Sequence, residues 1–366
     1  MQSIERKSVK AAVACVQASV RSEHPYIVGG KSDLPVKLNQ NENPYDLPAD
    51  LKEELLAVFR DLPFNRYPRE HPDRLAAALA DRLGVTLESV LVANGSNELS
   101  YLLGLCLLRE GTPVVMPRPM FSLYEKVARL YAADLTAVPP RPDLSFDAEA
   151  LREAVLRVRP ALTVLTSPNN PTGTVLRFEE IESIVDAAEG IVVVDEAYVE
   201  FNEERPATEL LPKYPNLLVM RTFSKALGLA GLRIGYLVGD PELLAEFRKA
   251  RLPFVVDVMA EATALRLLDR PDLVEARVKE LKASRKEIEE TLRGMPGMRV
   301  IPSQANFVIF GPALEPAEVM ARLAGAGVLV RDVSGYPELR GFLRVNAGTP
   351  SENRAFLAAL KNALSA

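Results

Sequence analysis

Lys225 sits between a pair of hydroxyl residues, Thr222 and Ser224, and a glycine-spaced arginine, Arg233. Hydroxyl donors and a planar guanidinium are groups suited to gripping a phosphate dianion. An amine held near a fixed cation in apolar surroundings loses part of its basicity and becomes a usable nucleophile toward an aldehyde. The apolar run 217–220 lies immediately upstream, and small residues follow the lysine. A buried strand therefore ends here, and the chain turns so that a ligand can approach its backbone. A surface lysine beside a structural arginine would fit this one stretch equally well, so the rest of the chain has to decide.

The elements that position these groups are read from periodicity. Short apolar runs at 89–93, 113–116, 134–138, 161–165, 191–194 and 217–220 alternate with helical patterns such as 73–83 and 178–189. Continuous apolar strands separated by helices predict a doubly wound α/β domain, whose ligands sit beyond the carboxyl ends of its strands. Five of those ends carry polar or aromatic residues: Gly95 and Ser96; Met120 and Phe121; Asn169 and Asn170; Asp195, Glu196 and Tyr198; and Thr222 to Lys225. The Gly95–Ser96 turn, with a helix expected to start at Asn97, offers free backbone donors to an anion. Upstream, the extended piece 36–45 is dense in amides, as in sites that grip a polar substrate, and a helix is expected over 50–60. An N-terminal helix is expected over 11–20 rather than a signal peptide, since Gln17 and Ser19 interrupt the apolar patch.

Beyond residue 255 the pattern changes. Residues 259–293 read as long helices interrupted at Pro271. A smaller α/β unit follows, with strands at 299–301, 306–310, 328–331 and 342–345 and helices at 316–324 and 350–364. The chain therefore divides into an N-terminal arm with a substrate-lining segment (1–45), a large domain (46–255), and connecting helices with a small C-terminal domain (256–366).

Composition narrows the function classes. A net charge of -5 over 366 residues leaves no basic footprint for nucleic acid. His24 and His71 are the only histidines, and both precede proline, which argues against a histidine-based triad or metal site. Cys15 and Cys106 are too few and too far apart for a metal pattern, and point to a reducing, cytoplasmic setting. No run is long enough to span a membrane.

Four motifs in fixed order, SPNNPTG at 167–173, VVDEAY at 193–198, TFSK at 222–225 and GLRIG at 231–235, resemble the fold-type I pyridoxal-phosphate enzymes, specifically class II aminotransferases. The resemblance covers nearly the whole chain. It implies a seven-stranded, mostly parallel sheet in the large domain, pyridoxal 5'-phosphate as cofactor, and a homodimer. Lys225 would carry the cofactor and shuttle a proton, and Asp195 would pair with the ring nitrogen. Asn170 and Tyr198 would bind the ring oxygen, and Phe121 would stack on the ring. Gly95, Ser96 and Asn97, with Thr222, Ser224 and Arg233, would surround the phosphate.

Within that class, NENPY at 41–45, RYP at 66–68, VRD at 330–332 and LRV at 343–345 are most similar to the histidinol-phosphate aminotransferase family. That similarity implies transfer of the amine of L-histidinol phosphate to 2-oxoglutarate, giving imidazole acetol phosphate and L-glutamate in histidine biosynthesis. Tyr67 would reach a partner subunit's phosphate site, and Asn43 would line the substrate pocket. Arg344 would hold an α-carboxylate, and Arg331 a phosphate or distal carboxylate. Asn97 departs from the family's aspartate and removes a negative charge there. Rival readings are an aromatic amino-acid aminotransferase, a phosphothreonine-type decarboxylase, and a cofactor-sensing domain of a transcription regulator. The last is disfavoured, because no basic helix-turn-helix segment precedes residue 36.

Overall fold

The architecture was analysed in a computed structural model that describes residues 9–25 and 34–365. Its central element is a seven-stranded sheet: β2 (Val90–Ala93), β3 (Pro113–Pro117), β4 (Asp134–Val138), β5 (Leu162–Thr166), β6 (Ile191–Asp195), β7 (Leu217–Thr222) and β8 (Gly235–Gly239). The spatial order is β2-β8-β7-β6-β5-β3-β4. Neighbours are parallel except around β8, which runs antiparallel to both β2 and β7. The sequence reading has six of these strands. It misses β8, whose five residues begin and end with Gly235 and Gly239 and carry no strand assignment in that reading.

Alternation along the strands explains why the sheet is buried on both faces. Val193, Leu218 and Met220 belong to one core with Leu91, Val114 and Val164, beneath the helices Gly95–Leu107 and Ser122–Leu130. Val192, Val194, Leu217 and Val219 belong to the opposite core, under Ala148–Val158 and Phe178–Ala187. Along the outer edge of β2, the carbonyls of Val90 and Val92 accept from Arg248 and Arg251. Guanidinium groups thus satisfy acceptors that an exposed edge would offer to another strand.

A second sheet, β12-β13-β10-β9, is built from β9 (Arg299–Val300), β10 (Phe307–Gly311), β12 (Arg331–Asp332) and β13 (Leu343–Asn346). The expected strand at 328–331 divides in two. β11 (Val328–Leu329) pairs instead with β1 (Val36–Lys37), so the chain just before the amide-rich segment is stitched to the C-terminal half. Pro271 opens the helix Pro271–Arg293 after Val258–Leu268, as expected. The expected helix at 11–20 is instead two short ones, Val9–Ala14 and Ala18–Arg21. The rest of the arm, residues 1–8 and 26–33, lies outside the described residues. No helix of the described residues is long and apolar enough to cross a membrane.

At the carboxyl ends of β6 and β7 the chain spends two buried charges on holding the strands together. Arg221 Nε and Nη2 donate to Glu196 Oε2 at 2.9 and 2.7 Å, and Glu196 also accepts from the Ala207 amide. Their side chains are 13% and 4% exposed. Removing one partner of a buried pair strands the other charge, which costs about 3–5 kcal/mol. Arg221→Leu should therefore lose about that much stability, read from the midpoint and slope of urea unfolding.

Candidate active site

A cavity of about 650 Å³ lies where the carboxyl ends of β2, β3, β5, β6 and β7 meet the second sheet. Its walls include Ser96, Asn97, Phe121, Asn170, Asp195, Tyr198, Thr222, Ser224, Lys225, Arg233, Arg331 and Arg344. One end is an anion cradle. The helix Gly95–Leu107 begins two residues earlier than the expected start at Asn97, so Gly95 is its first residue, at φ +77°. A Cβ on Gly95 would lie 2.5 Å from Arg233 Nη2, and only glycine lets the guanidinium rest against this helix start. Gly235 permits a second close approach, since its Cβ would meet the Ser96 nitrogen at 2.4 Å. Thr222 Oγ1 donates to Ser224 Oγ at 3.0 Å and accepts from the Ser224 amide. Arg233 Nη1 points at Ser224 Oγ at 3.4 Å. Hydroxyls, a helix N-terminus and a guanidinium converge as a phosphate requires.

Asp195 and Lys225 lie along the cavity from this cradle. Asp195 is 7% exposed. Burial pushes its carboxyl up to about 6, opposed by hydrogen bonds from Tyr124 and the Ala197 amide. Lys225 Nζ donates to the Gln40 carbonyl at 3.0 Å and stands 5.9 Å from the Tyr198 ring centroid. Burial, then the charge of Arg344, lowers the Lys225 amine to about 8; Glu42 opposes this, and Arg233 adds to it. The sequence points to Arg233 as the cation beside the lysine, but Arg344 has the larger influence because the second sheet brings it into the same cavity.

Arg331 and Arg344 are direct cross-strand partners on β12 and β13, so both project on one face of the second sheet. Arg344 Nη1 donates to Asn170 Oδ1, and its Nη2 donates to the Asn39 carbonyl at 3.0 Å. Asn170 lies in a loop held by Asn169, whose amide donates to the Pro119 carbonyl at 2.9 Å and to Thr172 at 2.8 Å.

Two expected site residues are elsewhere. Asn43 does not line this cavity: its amide donates to the Ala226 carbonyl at 3.0 Å, so it braces the turn after Lys225. The pocket is lined from that segment by Asn39, Gln40, Asn41 and Glu42 instead. The side chain of Asn41 donates to the Tyr198 hydroxyl at 2.9 Å. Tyr67 is also outside the cavity of its own chain, 82% exposed and stacked on Phe254 with centroids 4.8 Å apart. Sequence reasoning misses Tyr124, whose hydroxyl donates to Asp195 Oδ2 at 2.7 Å. Its only sequence signal is its position three residues after Phe121, one helical turn along Ser122–Leu130.

Residues 35–360 match the model of the family described as aminotransferase class I and II. The chain is 48% identical over 336 residues to a histidinol-phosphate aminotransferase of Chlorobaculum tepidum, covering 92% of this chain and 96% of that protein. It is 44% identical to the enzyme of the same name from Chlorobaculum parvum, covering 92% and 95%. Among solved structures, it is similar to histidinol-phosphate aminotransferase from Sinorhizobium meliloti in complex with pyridoxal-5'-phosphate. There the TM-score is 0.87 at 25% identity, with 96% of this chain and 98% of that one covered.

The lowered amine of Lys225 has a cost in stability. Its folded value of about 8 lies below the ordinary lysine value of 10.5. Below pH 8 the folded protein must keep a charged amine where burial disfavours it, and this penalty fades as pH rises toward 10.5. Lys225→Met should therefore stabilise the cofactor-free protein by about 2–3 kcal/mol at pH 7. By pH 10 the gain should shrink to less than half, as measured by urea unfolding at both values.

Proposed function

The chain belongs to the class I and II aminotransferases, and from that premise we propose that it is a histidinol-phosphate aminotransferase. It moves the amine of L-histidinol phosphate to 2-oxoglutarate, giving imidazole acetol phosphate and L-glutamate, a step of histidine biosynthesis. The observation that carries this reading is the 48% identity over nearly the full length to a relative of that name. The cofactor is pyridoxal 5'-phosphate. The residues present fit it: the Gly95–Arg233 cradle would be filled by a single Cβ, and a buried carboxylate and a lysine share the same cavity.

When bound, the cofactor supplies an aldehyde that takes up amine and a ring that draws electrons from the substrate's α-carbon. Arg233, Thr222, Ser224 and the first amides of the helix Gly95–Leu107 would hold its phosphate. Asn97, the third residue of that helix and part of the cavity wall, adds no negative charge there. Phe121 would pack on the ring, Asp195 would hold the ring nitrogen, and Asn170 and Tyr198 would direct hydrogen bonds to the ring oxygen. Lys225 Nζ is the base that takes the proton at the substrate's α-carbon and later returns one. With an amine at about 8, about a tenth of Lys225 is neutral at pH 7, enough for general-base work.

Arg344 takes an α-carboxylate, exchanging its contact with the Asn39 carbonyl for the substrate. Arg331 takes the phosphate of histidinol phosphate or the distal carboxylate of glutamate. Two cations directly across a strand pair repel one another unless anions answer them, which favours anionic substrates: the phosphate of histidinol phosphate or the two carboxylates of glutamate. Residues 46–255 form the cofactor-holding domain, 256–366 carry the second sheet, and 1–45 form the arm and the segment over the pocket. The enzyme works in the cytoplasm as a homodimer. The exposed stack of Tyr67 on Phe254 belongs to the face that a second copy covers. Tyr67 completes the partner's phosphate site.

A charge-assisted contact is worth about 1.5–3 kcal/mol. Arg331→Ala should accordingly lower kcat/KM for histidinol phosphate and glutamate by about ten- to a hundredfold, with a much smaller effect on phenylalanine. If phenylalanine is used far better than histidinol phosphate, and the variant leaves the phosphate substrate untouched, an aromatic aminotransferase is the right reading.

Sharing of sites is tested by mixing inactive Lys225→Ala with inactive Tyr67→Ala. Each hybrid dimer contains one intact site, so an equal mixture should recover about a quarter of wild-type turnover. Hybrids that form without any recovery would remove Tyr67 from the partner's site.

A further inference from the structure

Asp195 does not stand alone at the end of β6. From the helix Ser122–Leu130, the Tyr124 hydroxyl reaches it at 2.7 Å, and the same oxygen touches Met220 Sδ at 3.3 Å. Tyr124 is 3% exposed and packs in the core beneath the sheet, so its hydroxyl has no solvent alternative. The second oxygen of Asp195 accepts the Ala197 amide at 3.0 Å. Each carboxylate oxygen therefore has one fixed donor, one from a side chain and one from the backbone.

We propose that Tyr124 is the positioning residue that keeps Asp195 an oriented carboxylate for the ring nitrogen of the cofactor. This rests on the assignment of Asp195 in the preceding section, and it adds a residue that acts only through another. A buried carboxyl left to itself takes up a proton. In that neutral state it would no longer pair with a protonated ring nitrogen. A phenol hydroxyl donating to one oxygen favours the ionised form and fixes the carboxylate plane.

The surroundings single out this bond. The charged or titratable groups that influence Asp195 are Tyr124, the adjoining Glu196 and Lys225. Glu196 works against ionisation, and it is already committed to Arg221. Lys225 favours ionisation but is the smallest of the influences. The strands on either side, β5 and β7, bring Thr166 and Met220 as in-register neighbours, neither of them charged. Tyr124 therefore contributes the strongest force keeping Asp195 ionised against burial. The hydroxyl in turn keeps the proton it donates, since its own ionisation is pushed up by burial and by the neighbouring carboxylate.

The experiment is an infrared pH titration of the cofactor-free, full-length protein with carbon-13-labelled aspartate, in which Asp195→Asn identifies the Asp195 band. Wild type should show a protonation midpoint of about 6. Tyr124→Phe removes one oxygen atom and should raise that midpoint by about one to two pH units. If Tyr124→Phe does not fold, replacing the tyrosines by 3-fluorotyrosine, a stronger donor of nearly the same shape, should lower the midpoint. A midpoint unchanged in the variant that folds overturns the proposal. The titration needs no bound cofactor. Failure of wild type to bind pyridoxal phosphate would therefore count against the proposed function and leave the Tyr124 result readable by itself.

Discussion

The ion pair between Arg221 and Glu196 is the contact on which the geometry of the cavity depends. It joins the ends of two parallel strands just before each leaves the sheet. One strand end carries Asp195, and the other leads into Thr222, Ser224 and Lys225. Parallel register alone sets Asp195 opposite Met220. The ion pair then fixes how the two loops diverge, because both guanidinium nitrogens bind one carboxylate oxygen while the other oxygen ties down the segment at Ala207. Well-packed apolar residues would serve stability as well. A directional pair holds positions to a fraction of an ångström, which catalytic groups require.

The cavity is also a place of unfavourable electrostatics held in check by its surroundings. Lys225, Arg233, Arg331 and Arg344 converge on a cavity that also holds Glu42, Asp195 and Asp332, and burial raises Asp195 while lowering Lys225. Such an arrangement stores free energy that anionic ligands release on binding. Until they bind, protein groups fill the role: the carbonyls of Gln40 and Asn39 accept from Lys225 and Arg344.

Those two carbonyls belong to a segment that couples both sheets. Asn41 is in the left-handed region at φ 55°. Its amide nitrogen donates to Asn346 Oδ1, and its carbonyl accepts from Asn306. Its side chain meets Tyr198, while Asn43 braces the turn after Lys225. These hydrogen bonds tie the segment both to the second sheet and to the loops of the first. Ordering the segment and aligning the cavity are therefore one event.

The sequence by itself determines the local parts: continuous apolar strands, the order of the strand-end motifs, and the lysine flanked by hydroxyls and an arginine. These follow from short-range chemistry, because strand periodicity and turn residues act over a few positions. Only the tertiary structure decides what depends on distant partners. It inserts β8 between β2 and β7, a pairing that five residues bracketed by glycines do not announce. It sets Arg331 directly across from Arg344 and brings Arg344 close enough to weaken the basicity of Lys225. It turns Asn43 away from the cavity and supplies Asn39 and Asn41 instead, since β1 pairs with β11 and fixes the path of the segment that follows. It also places the Tyr124 hydroxyl on Asp195, from a helix 71 residues earlier in the chain. A hydrogen bond is set by distance and direction, and neither is encoded in the spacing of two residues so far apart.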